Sequence, residues 1–330
     1  MNNQEKLILV TGASGFIALN VIQQLSQLPH RVRATLRNLK DEKKLEIVRK
    51  AATGSKHPIE IVSADLLKAD TWNEACKGVD IVLHLASPFP SETPQDPENN
   101  LLKPAIEGTK NVLNAAHSAK VSRVVVTSSC AAVYISGEKN KKYTEKDWNN
   151  PEAATPYVKS KILAEKFAWD FVEEKKKRGE KCFELAVINP CFVLGPSLGD
   201  LSSLGTSEKF IADFMLGNKE KANEFYVGHC DVRDVALAHL KAAFLPQAAG
   251  HRHIIETKWA SSREVFDILK KNYANQGYKF ITQFEKGDDP NNKSDTTRMT
   301  KVLGVPITEY EKTIIDMAES LIKSGSIKKQ

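Results

Sequence analysis

A tyrosine and a lysine one helical turn apart are the side chains in this sequence best placed to move a proton. Tyr157 and Lys161 follow Pro156, which suits the first position of a helix. Apolar residues with helical spacing come next, at Ile162, Leu163, Phe167 and Phe171. Both side chains then leave one helix face, where an ammonium would lower the pKa of the phenol from about 10 toward neutrality. Tyr157 is therefore a candidate proton donor, although this spacing is also common on exposed helices.

A glycine-containing turn near the amino terminus predicts a dinucleotide site. Residues 7–10 (LILV) form a short apolar run, typical of a central parallel strand, and TGASGFIA at 11–18 leads from it into a helical pattern. Gly12 permits a tight turn, and Gly15 and Ala18 are small enough for the helix to pack against the strand. The amino terminus of that helix would offer its amide hydrogens to a pyrophosphate.

The second predicted strand, residues 32–36, indicates which dinucleotide is bound. NAD sites place an acidic side chain about 20 residues beyond the glycines, where it binds the ribose 2′-hydroxyl. Residues 29–40 contain no Asp or Glu; Arg37 follows the strand, and Lys43 and Lys44 open the next helix. Because cations pair with phosphate, the sequence predicts NADP(H) rather than NAD. The alternative is that Arg37 is an ordinary surface residue.

Strands and helices alternate along the first part of the chain. Further strands are predicted at residues 59–63, 81–86, 124–127 and 185–188, and a helix at 101–119. This order predicts an α/β fold with a Rossmann-type, doubly wound parallel sheet. Ligands of such sheets lie beyond the carboxyl ends of the strands. Residues 87–89, 128–130 and 189–190 occupy that edge.

The alternation loosens after residue 195. We therefore predict an NADP-binding Rossmann domain at residues 1–195 and a smaller, mostly helical substrate lobe at 196–330, some segments of which can return to the sheet. The lobe's predicted helices are at 208–216, 232–245, 262–273 and 309–322, and its predicted loops are at 199–205, which we expect to be mobile, and 277–300.

Charge and cysteine content exclude several classes of function. The formal net charge is +6, but the densest basic run, at 173–181, ends a predicted helix and contains no aromatic residue, which favours a solvated helix end over a nucleic-acid surface. The five cysteines show no metal-ligand spacing, and His251 and His253 show only the i, i+2 spacing of a strand, so we predict no metal site. Without a signal-peptide pattern or an apolar run long enough to span a bilayer, we expect a cytoplasmic protein without membrane partners.

Longer motifs give the chain a family resemblance. They are VLHLASPF at 82–89, VTSSCAAVY at 126–134, AEKFAW at 164–169 and DVRDVALAH at 231–239. With the glycine turn and Tyr157/Lys161, they resemble the extended short-chain dehydrogenase/reductase family. Within it, the chain is similar to the branch that contains dihydroflavonol 4-reductase, cinnamoyl-CoA reductase and the fungal methylglyoxal and aldehyde reductases.

The resemblance implies specific roles for the site residues. Ser129 would orient and polarise a substrate carbonyl, Tyr157 would supply the proton, and Lys161 would lower the pKa of Tyr157 and hold the nicotinamide ribose. Arg37 and Lys44 match positions that bind the 2′-phosphate, and Pro190 and Val193 match positions that flank the nicotinamide. The other implied cofactor contacts are Gly12, Ser14, Gly15, Phe16, Ile17, Asp65, Leu66, Leu85, Ala86 and Ser87.

Departures from the plant enzymes indicate the substrate class. Tyr134 replaces the Asn of dihydroflavonol reductases, and ATPYV at 154–158 differs from the segment of cinnamoyl-CoA reductases. Phe89, Cys130, Tyr134 and Phe192 would form an apolar, aromatic pocket, although each also suits a packed core. We therefore expect an NADPH-dependent reductase of small or aryl aldehydes and ketones, monomeric or homodimeric. The alternatives are a 3β-hydroxysteroid dehydrogenase-like enzyme, a nucleotide-sugar epimerase or dehydratase, and a non-catalytic NADP sensor.

Overall fold

The secondary structure follows the predicted alternation closely. The computed structural model describes residues 5–89, 93–134, 138–199, 204–217 and 220–329. Its strands are β1 (Leu7–Val10), β2 (Arg31–Leu36), β3 (Glu60–Ser63), β4 (Ile81–His84), β5 (Arg123–Thr127), β6 (Lys142–Tyr143), β7 (Glu184–Pro190), β8 (Phe192–Leu194), β9 (Lys221–Asn223), β10 (Tyr226–Asp231), β11 (His251–Ile255), β12 (Lys258–Ser261), β13 (Gln283–Glu285) and β14 (Lys293–Ser294). Its helices are α1 (Phe16–Leu25), α2 (Glu42–Ala51), α3 (Ala69–Cys76), α4 (Lys103–Ser118), α5 (Pro156–Lys177), α6 (Thr206–Met215), α7 (Val232–Phe244), α8 (Ser262–Tyr273) and α9 (Tyr310–Lys323).

Seven parallel strands form the main sheet, in the order β11-β7-β5-β4-β1-β2-β3. β1 is buried along its whole length, as its unbroken apolar sequence predicts for a strand covered on both faces. One face packs against α1, α2 and α7, and the other against α3, α4 and α5. The predicted Rossmann-type fold is confirmed.

A second lobe is built around a three-stranded sheet of β12, β10 and β8. Its core joins α6, α8 and α9 through residues such as Ile211, Phe266 and Ile314. The four helices predicted for this half of the chain are present with small shifts at their ends. Two elements beyond residue 195 nevertheless belong to the first lobe, because β11 pairs with β7 in the main sheet and α7 packs against α1.

Two predicted loops had different outcomes. The segment predicted as loop at 277–300 is mostly irregular, but β13 pairs with β9 and β14 pairs with β6, so it is fastened to distant parts of the chain. The loop predicted at 199–205 lies mostly outside the described residues.

Candidate active site

A cavity of about 570 Å³ lies at the carboxyl ends of the main-sheet strands. Its walls come from the turns after β1, β4, β5 and β7 and from the second lobe, at the start of α6 and in β10. Most of the residues chosen from the sequence meet here: Gly12, Ser14, Gly15, Phe16, Ile17, Lys44, Leu85, Ser87, Phe89, Ser129, Cys130, Tyr157, Lys161, Pro190, Phe192 and Val193. Arg37, Asp65, Leu66, Ala86 and Tyr134 do not line it.

The turn after β1 has the geometry that a pyrophosphate requires. Gly12 has φ +66°, and a Cβ atom there would lie 2.9 Å from Cα of Ala86, so only glycine lets the turn pass over the end of β4. Ala86 thus packs directly against the glycine turn, although it does not line the cavity. Gly15 precedes α1 without a side-chain cap, which leaves the first helical amides available to an anion. A dinucleotide fits this turn.

The two cations predicted to bind the 2′-phosphate differ in their relation to the cavity. Lys44 lines the cavity from the start of α2 and forms an ion pair of 3.2 Å with Asp41, the residue that caps the helix. Arg37 is exposed just after β2, and no described residue forms an ion pair with it. Asp65 and Leu66 are directed elsewhere: the Asp65 carboxylate accepts from the amide of Leu67 at 3.0 Å, and Leu66 packs against Gly108. Their predicted contact with an adenine ring stays a prediction.

The three residues predicted to be catalytic share one end of the cavity. Ser129 follows β5 in an extended conformation, and its Oγ accepts from the amide of Ala131 at 3.1 Å. The Ser129 side chain also lies close enough to the Tyr157 hydroxyl to lower the pKa of the phenol. Pro156 begins α5 and Thr155 precedes it, so Tyr157 and Lys161 lie on successive turns as the sequence predicts. The Lys161 ammonium donates to Ser87 Oγ at 2.9 Å.

Burial dominates the electrostatics of this group. Removal from water lowers the pKa of Lys161 to about 8. Burial also raises the pKa of Tyr157 above its usual value, although the interaction with Ser129 opposes that rise. The lowering of the Tyr157 pKa that we expect from Lys161 stays a prediction, and burial is the largest influence on this phenol. The protein holds Tyr157 as a neutral phenol, the form that can donate a proton.

Aromatic side chains line part of the cavity. The ring centres of Phe89 and Tyr157 are 5.0 Å apart, and Phe192 meets Phe210 and His229 edge-on. Cys130 also lines the cavity, as predicted, and its neighbour in the wall is Cys191. Apolar side chains thus line much of the cavity, and the polar groups of Ser129, Tyr157 and Lys161 lie together among them.

Tyr134 is not part of that wall, contrary to the prediction. Its hydroxyl donates to Oε2 of Glu256 at 2.5 Å and lies 2.9 Å from Ser294 Oγ and 3.0 Å from Cys191 Sγ. Glu256 is 5% exposed, so a buried carboxylate draws the phenol away from the cavity. Burial raises the pKa of Tyr134, which keeps the phenol a hydrogen-bond donor.

Sequence reasoning missed several residues of the wall. Ser207 and Glu208 enter it from the first turn of α6, where Glu208 accepts from Ser197 Oγ at 2.9 Å, and Val227 enters from β10. Gly-Thr-Ser-Glu at 205–208 has the composition of a helix start, but no local pattern indicates that this start faces the cavity. Val227 carries no local signal because only the fold brings β10 there.

The part of the chain that the structure describes contains no group of three or more His, Cys, Asp and Glu side chains that could hold a metal ion. Among the same residues, no helix is both long and apolar enough to cross a bilayer.

Together, the glycine turn and the Ser129, Tyr157 and Lys161 group define a Rossmann-fold dinucleotide-dependent enzyme. The chain belongs to the NAD dependent epimerase/dehydratase family, which matches residues 8–257. It is 33% identical over 344 residues to the NADPH-dependent methylglyoxal reductase GRE2 of Saccharomyces cerevisiae, covering 96% of this chain and 98% of the relative. It is 32% identical over 299 residues to tetraketide alpha-pyrone reductase 2 of Arabidopsis thaliana, covering 88% and 90%.

A solved structure shows the same fold. The crystal structure of yeast methylglyoxal/isovaleraldehyde reductase Gre2 complexed with NADPH superimposes with a TM-score of 0.84 at 31% identity, covering 97% of this chain and 100% of the other. The resemblance to the reductase branch of the family is thereby confirmed along nearly the whole chain.

Proposed function

We propose that the protein is an NADPH-dependent carbonyl reductase that converts aldehydes or ketones to alcohols. The observation that carries this proposal is the position of Ser129, Tyr157 and Lys161 in the same cavity as the Gly12 turn. Hydroxyl donors and a dinucleotide-binding turn in one cavity suit the reduction of a carbonyl group. The similarity to NADPH-dependent methylglyoxal reductase supports the same chemistry.

Ser129, Tyr157 and Lys161 have different roles in the proposed reaction. Bound NADPH supplies the hydride. The hydroxyls of Ser129 and Tyr157 bind the carbonyl oxygen and stabilise the negative charge that develops on it. Tyr157 then transfers its proton to that oxygen. Lys161, with a pKa of about 8, is protonated at neutral pH and stabilises the phenolate that Tyr157 becomes.

The cofactor preference rests on charge. Arg37 and Lys44 are cations in the region of the adenosine ribose, where an NAD enzyme would have a carboxylate. We expect both to pair with the 2′-phosphate of NADPH, Lys44 by exchanging its contact with Asp41. The same charges disfavour a nucleotide-sugar epimerase that retains NAD.

The substrate is expected to be a neutral, largely apolar carbonyl compound. Phe89, Cys130 and Phe192 all line the cavity, with Phe89 packed against the proton donor, and apolar walls bind the uncharged body of a ligand. An α-oxoaldehyde or an aryl aldehyde fits this description, and a 3β-hydroxysteroid is the bulkier alternative.

We further propose that residues 1–195 form the cofactor domain and that 196–330 form mainly the substrate lobe, with β11 and α7 as the returning segments. A cytosolic monomer or homodimer is the corresponding expectation for the whole protein.

The test is to mix the purified protein with NADPH and a panel of aldehydes and ketones and to follow NADPH oxidation. Turnover of several members, with NADH much less effective, is the expected result. Saturable NADPH binding without turnover of any carbonyl would instead identify a cofactor-sensing protein, and NAD that copurifies with the chain would favour the epimerase.

A further inference from the structure

Glu165 is a buried carboxylate that the proposed reaction does not use. It lies in α5 one helical turn after Lys161 and is 1% exposed. Its charge is balanced by Arg252 of β11, whose Nε donates to Oε1 of Glu165 at 2.6 Å and whose Nη2 donates to Oε2 at 3.3 Å. Because a buried ion pair seldom stabilises a fold more than apolar residues of the same size, stability alone does not explain the pair.

The same carboxylate contacts the segment that carries Ser129. Oε2 of Glu165 accepts from Ser128 Oγ at 2.6 Å and from Asn189 Nδ2 at 2.8 Å. The Asn189 amide group also donates to the backbone oxygen of Ser129 at 3.2 Å. Glu165 is thus two hydrogen bonds away from the peptide of Ser129, while its own helix carries Tyr157 and Lys161.

Arg252 is held firmly in turn. Its Nη1 donates to the backbone oxygens of Glu145 at 3.1 Å and Asp147 at 2.6 Å. Its guanidinium lies 3.8 Å from the centre of the Trp148 ring. The indole of Trp169 completes the group by donating to Oε1 of Glu165 at 3.2 Å. The carboxylate is therefore bound on both oxygens by groups that are themselves fixed.

From this geometry we infer that Glu165 is a positioning residue that fixes the end of β5 against α5, and hence the Ser129 hydroxyl relative to that of Tyr157. The inference rests on the proposed reductase function, in which both hydroxyls must bind one carbonyl oxygen. A displacement of about 1 Å between reacting groups can lower a rate by about 10²-fold. Glu165 lies too deep to contact the substrate, so it acts through Ser128 and Asn189.

Two variants and a matched control test this role. Glu165→Gln keeps the shape of the side chain but leaves Arg252 without its counter-charge. The double variant Glu165→Leu/Arg252→Met removes both charges, so it remains informative if the single variant folds poorly. The control is Arg123→Met. Arg123 is also a buried arginine, and it forms an ion pair of 2.6 Å with Glu184. This pair lies where β5 and β7 begin, at the end of these strands away from the cavity.

The measurements are kcat, KM, the NADPH Kd and the isotope effect with deuterated NADPH, all per NADPH-binding site. We expect kcat to fall about 10- to 100-fold in both Glu165 variants, with a larger isotope effect and an NADPH Kd within about threefold of wild type, whereas Arg123→Met keeps wild-type kcat. A double variant that folds with wild-type kcat and isotope effect would overturn the inference.

Hydrogen exchange gives a second readout that does not depend on turnover. Amides at 128–131 and 157–163 should exchange faster in Glu165→Gln than in wild type, and not in Arg123→Met. If the wild type turns over no carbonyl, the proposed function fails, and exchange alone then decides whether Glu165 positions these segments. Unchanged exchange there would count against it.

Discussion

The Lys161 ammonium donates a hydrogen bond of 2.9 Å to the Ser87 hydroxyl and lies 5.7 Å from the centre of the Tyr157 ring. Ser87 follows β4, so this contact ties the lysine to the main sheet rather than to the phenol oxygen. The lysine's charge therefore acts across the face of the ring, where it can stabilise the phenolate after proton transfer. In the resting enzyme, burial is the largest influence on the pKa of Tyr157.

The pH dependence of reduction should follow Lys161. Burial places the pKa of this lysine at about 8, below that of a free lysine, so the ammonium is present below pH 8 and is lost as the pH rises through it. Tyr157, whose pKa is raised, stays protonated throughout. We expect kcat/KM, which reports groups of the free enzyme, to be level near neutral pH and to decline above about pH 8. In Lys161→Met the activity should be low and this decline should be absent. The control Lys159→Met should keep the wild-type profile. If the activity of Lys161→Met still declines over the same pH range, the ionisation belongs to another group.

Removal of the Tyr157 hydroxyl should abolish proton delivery and little else. In Tyr157→Phe the ring that packs against Phe89 remains, so the cavity wall is kept. Loss of a general acid typically costs about 10²- to 10⁴-fold, and we expect kcat to fall by that amount while the NADPH Kd, measured by fluorescence titration, changes little. Wild-type turnover by this variant would refute the assigned role.

Removal of the Tyr134 hydroxyl should lower the stability of the protein and leave its activity unchanged. Tyr134→Phe takes one donor from the buried Glu256 carboxylate and leaves the cavity wall unchanged. Leaving a buried acceptor short of a partner costs about 1–3 kcal/mol, so the free energy of unfolding should decrease by that amount in a denaturant titration. KM for an aryl aldehyde should stay near wild type. A large rise in KM at unchanged stability would restore Tyr134 to the substrate pocket.

The sequence predicted correctly those features that a few consecutive residues determine. The strand, turn and helix around Gly12 and the spacing of Tyr157 and Lys161 are set by a few consecutive residues, and the structure has both. The direction of the Tyr134 side chain depends on Glu256, which is distant in the chain and offers a stronger partner than the cavity does. The raised pKa of Tyr157 likewise depends on burial by several segments, which no spacing reveals.

The same distinction applies to Glu165 and Arg252. The sequence places Glu165 on the face of Lys161, but its ion-pair partner is recognisable only when β11 returns to the main sheet beside β7. That return crosses the domain boundary predicted at residue 195. The contact of Glu165 with Arg252 therefore follows from the order of strands in the sheet, which the local sequence does not reveal. The spacing of Tyr157 and Lys161 follows from helix periodicity alone.

The Gly12 turn provides a test of the cofactor site. Gly12→Ala forces a side chain into positive φ and against the backbone of Ala86. Gly78→Ala is a matched control, because Gly78 has φ +71° but nothing within 4 Å of its added Cβ. Backbone strain should cost each variant about 1–2 kcal/mol of stability, and the collision with Ala86 adds to the loss in Gly12→Ala. Only Gly12→Ala should also weaken NADPH binding in a fluorescence titration, by tenfold or more; equal NADPH affinities for the two variants would show that the turn does not contact the cofactor.

Arg37 should set the preference for NADPH over NADH. Its guanidinium is exposed at the end of β2 without an ion-pair partner among the described residues, so binding a phosphate would not require it to break an existing ion pair. A hydrogen bond to a charged group contributes about 1.5–3 kcal/mol, which corresponds to a change of about 10- to 100-fold in Kd. In Arg37→Ser we expect the Kd for NADPH to rise by that factor and the Kd for NADH to stay nearly constant.

The control is Arg49→Ser, at the exposed far end of α2, which should change neither Kd. Because the attraction is electrostatic, added salt should weaken NADPH binding more in the wild type than in Arg37→Ser. Equal losses of affinity for both dinucleotides would place Arg37 outside the 2′-phosphate site and leave Lys44 as the cation that selects NADPH.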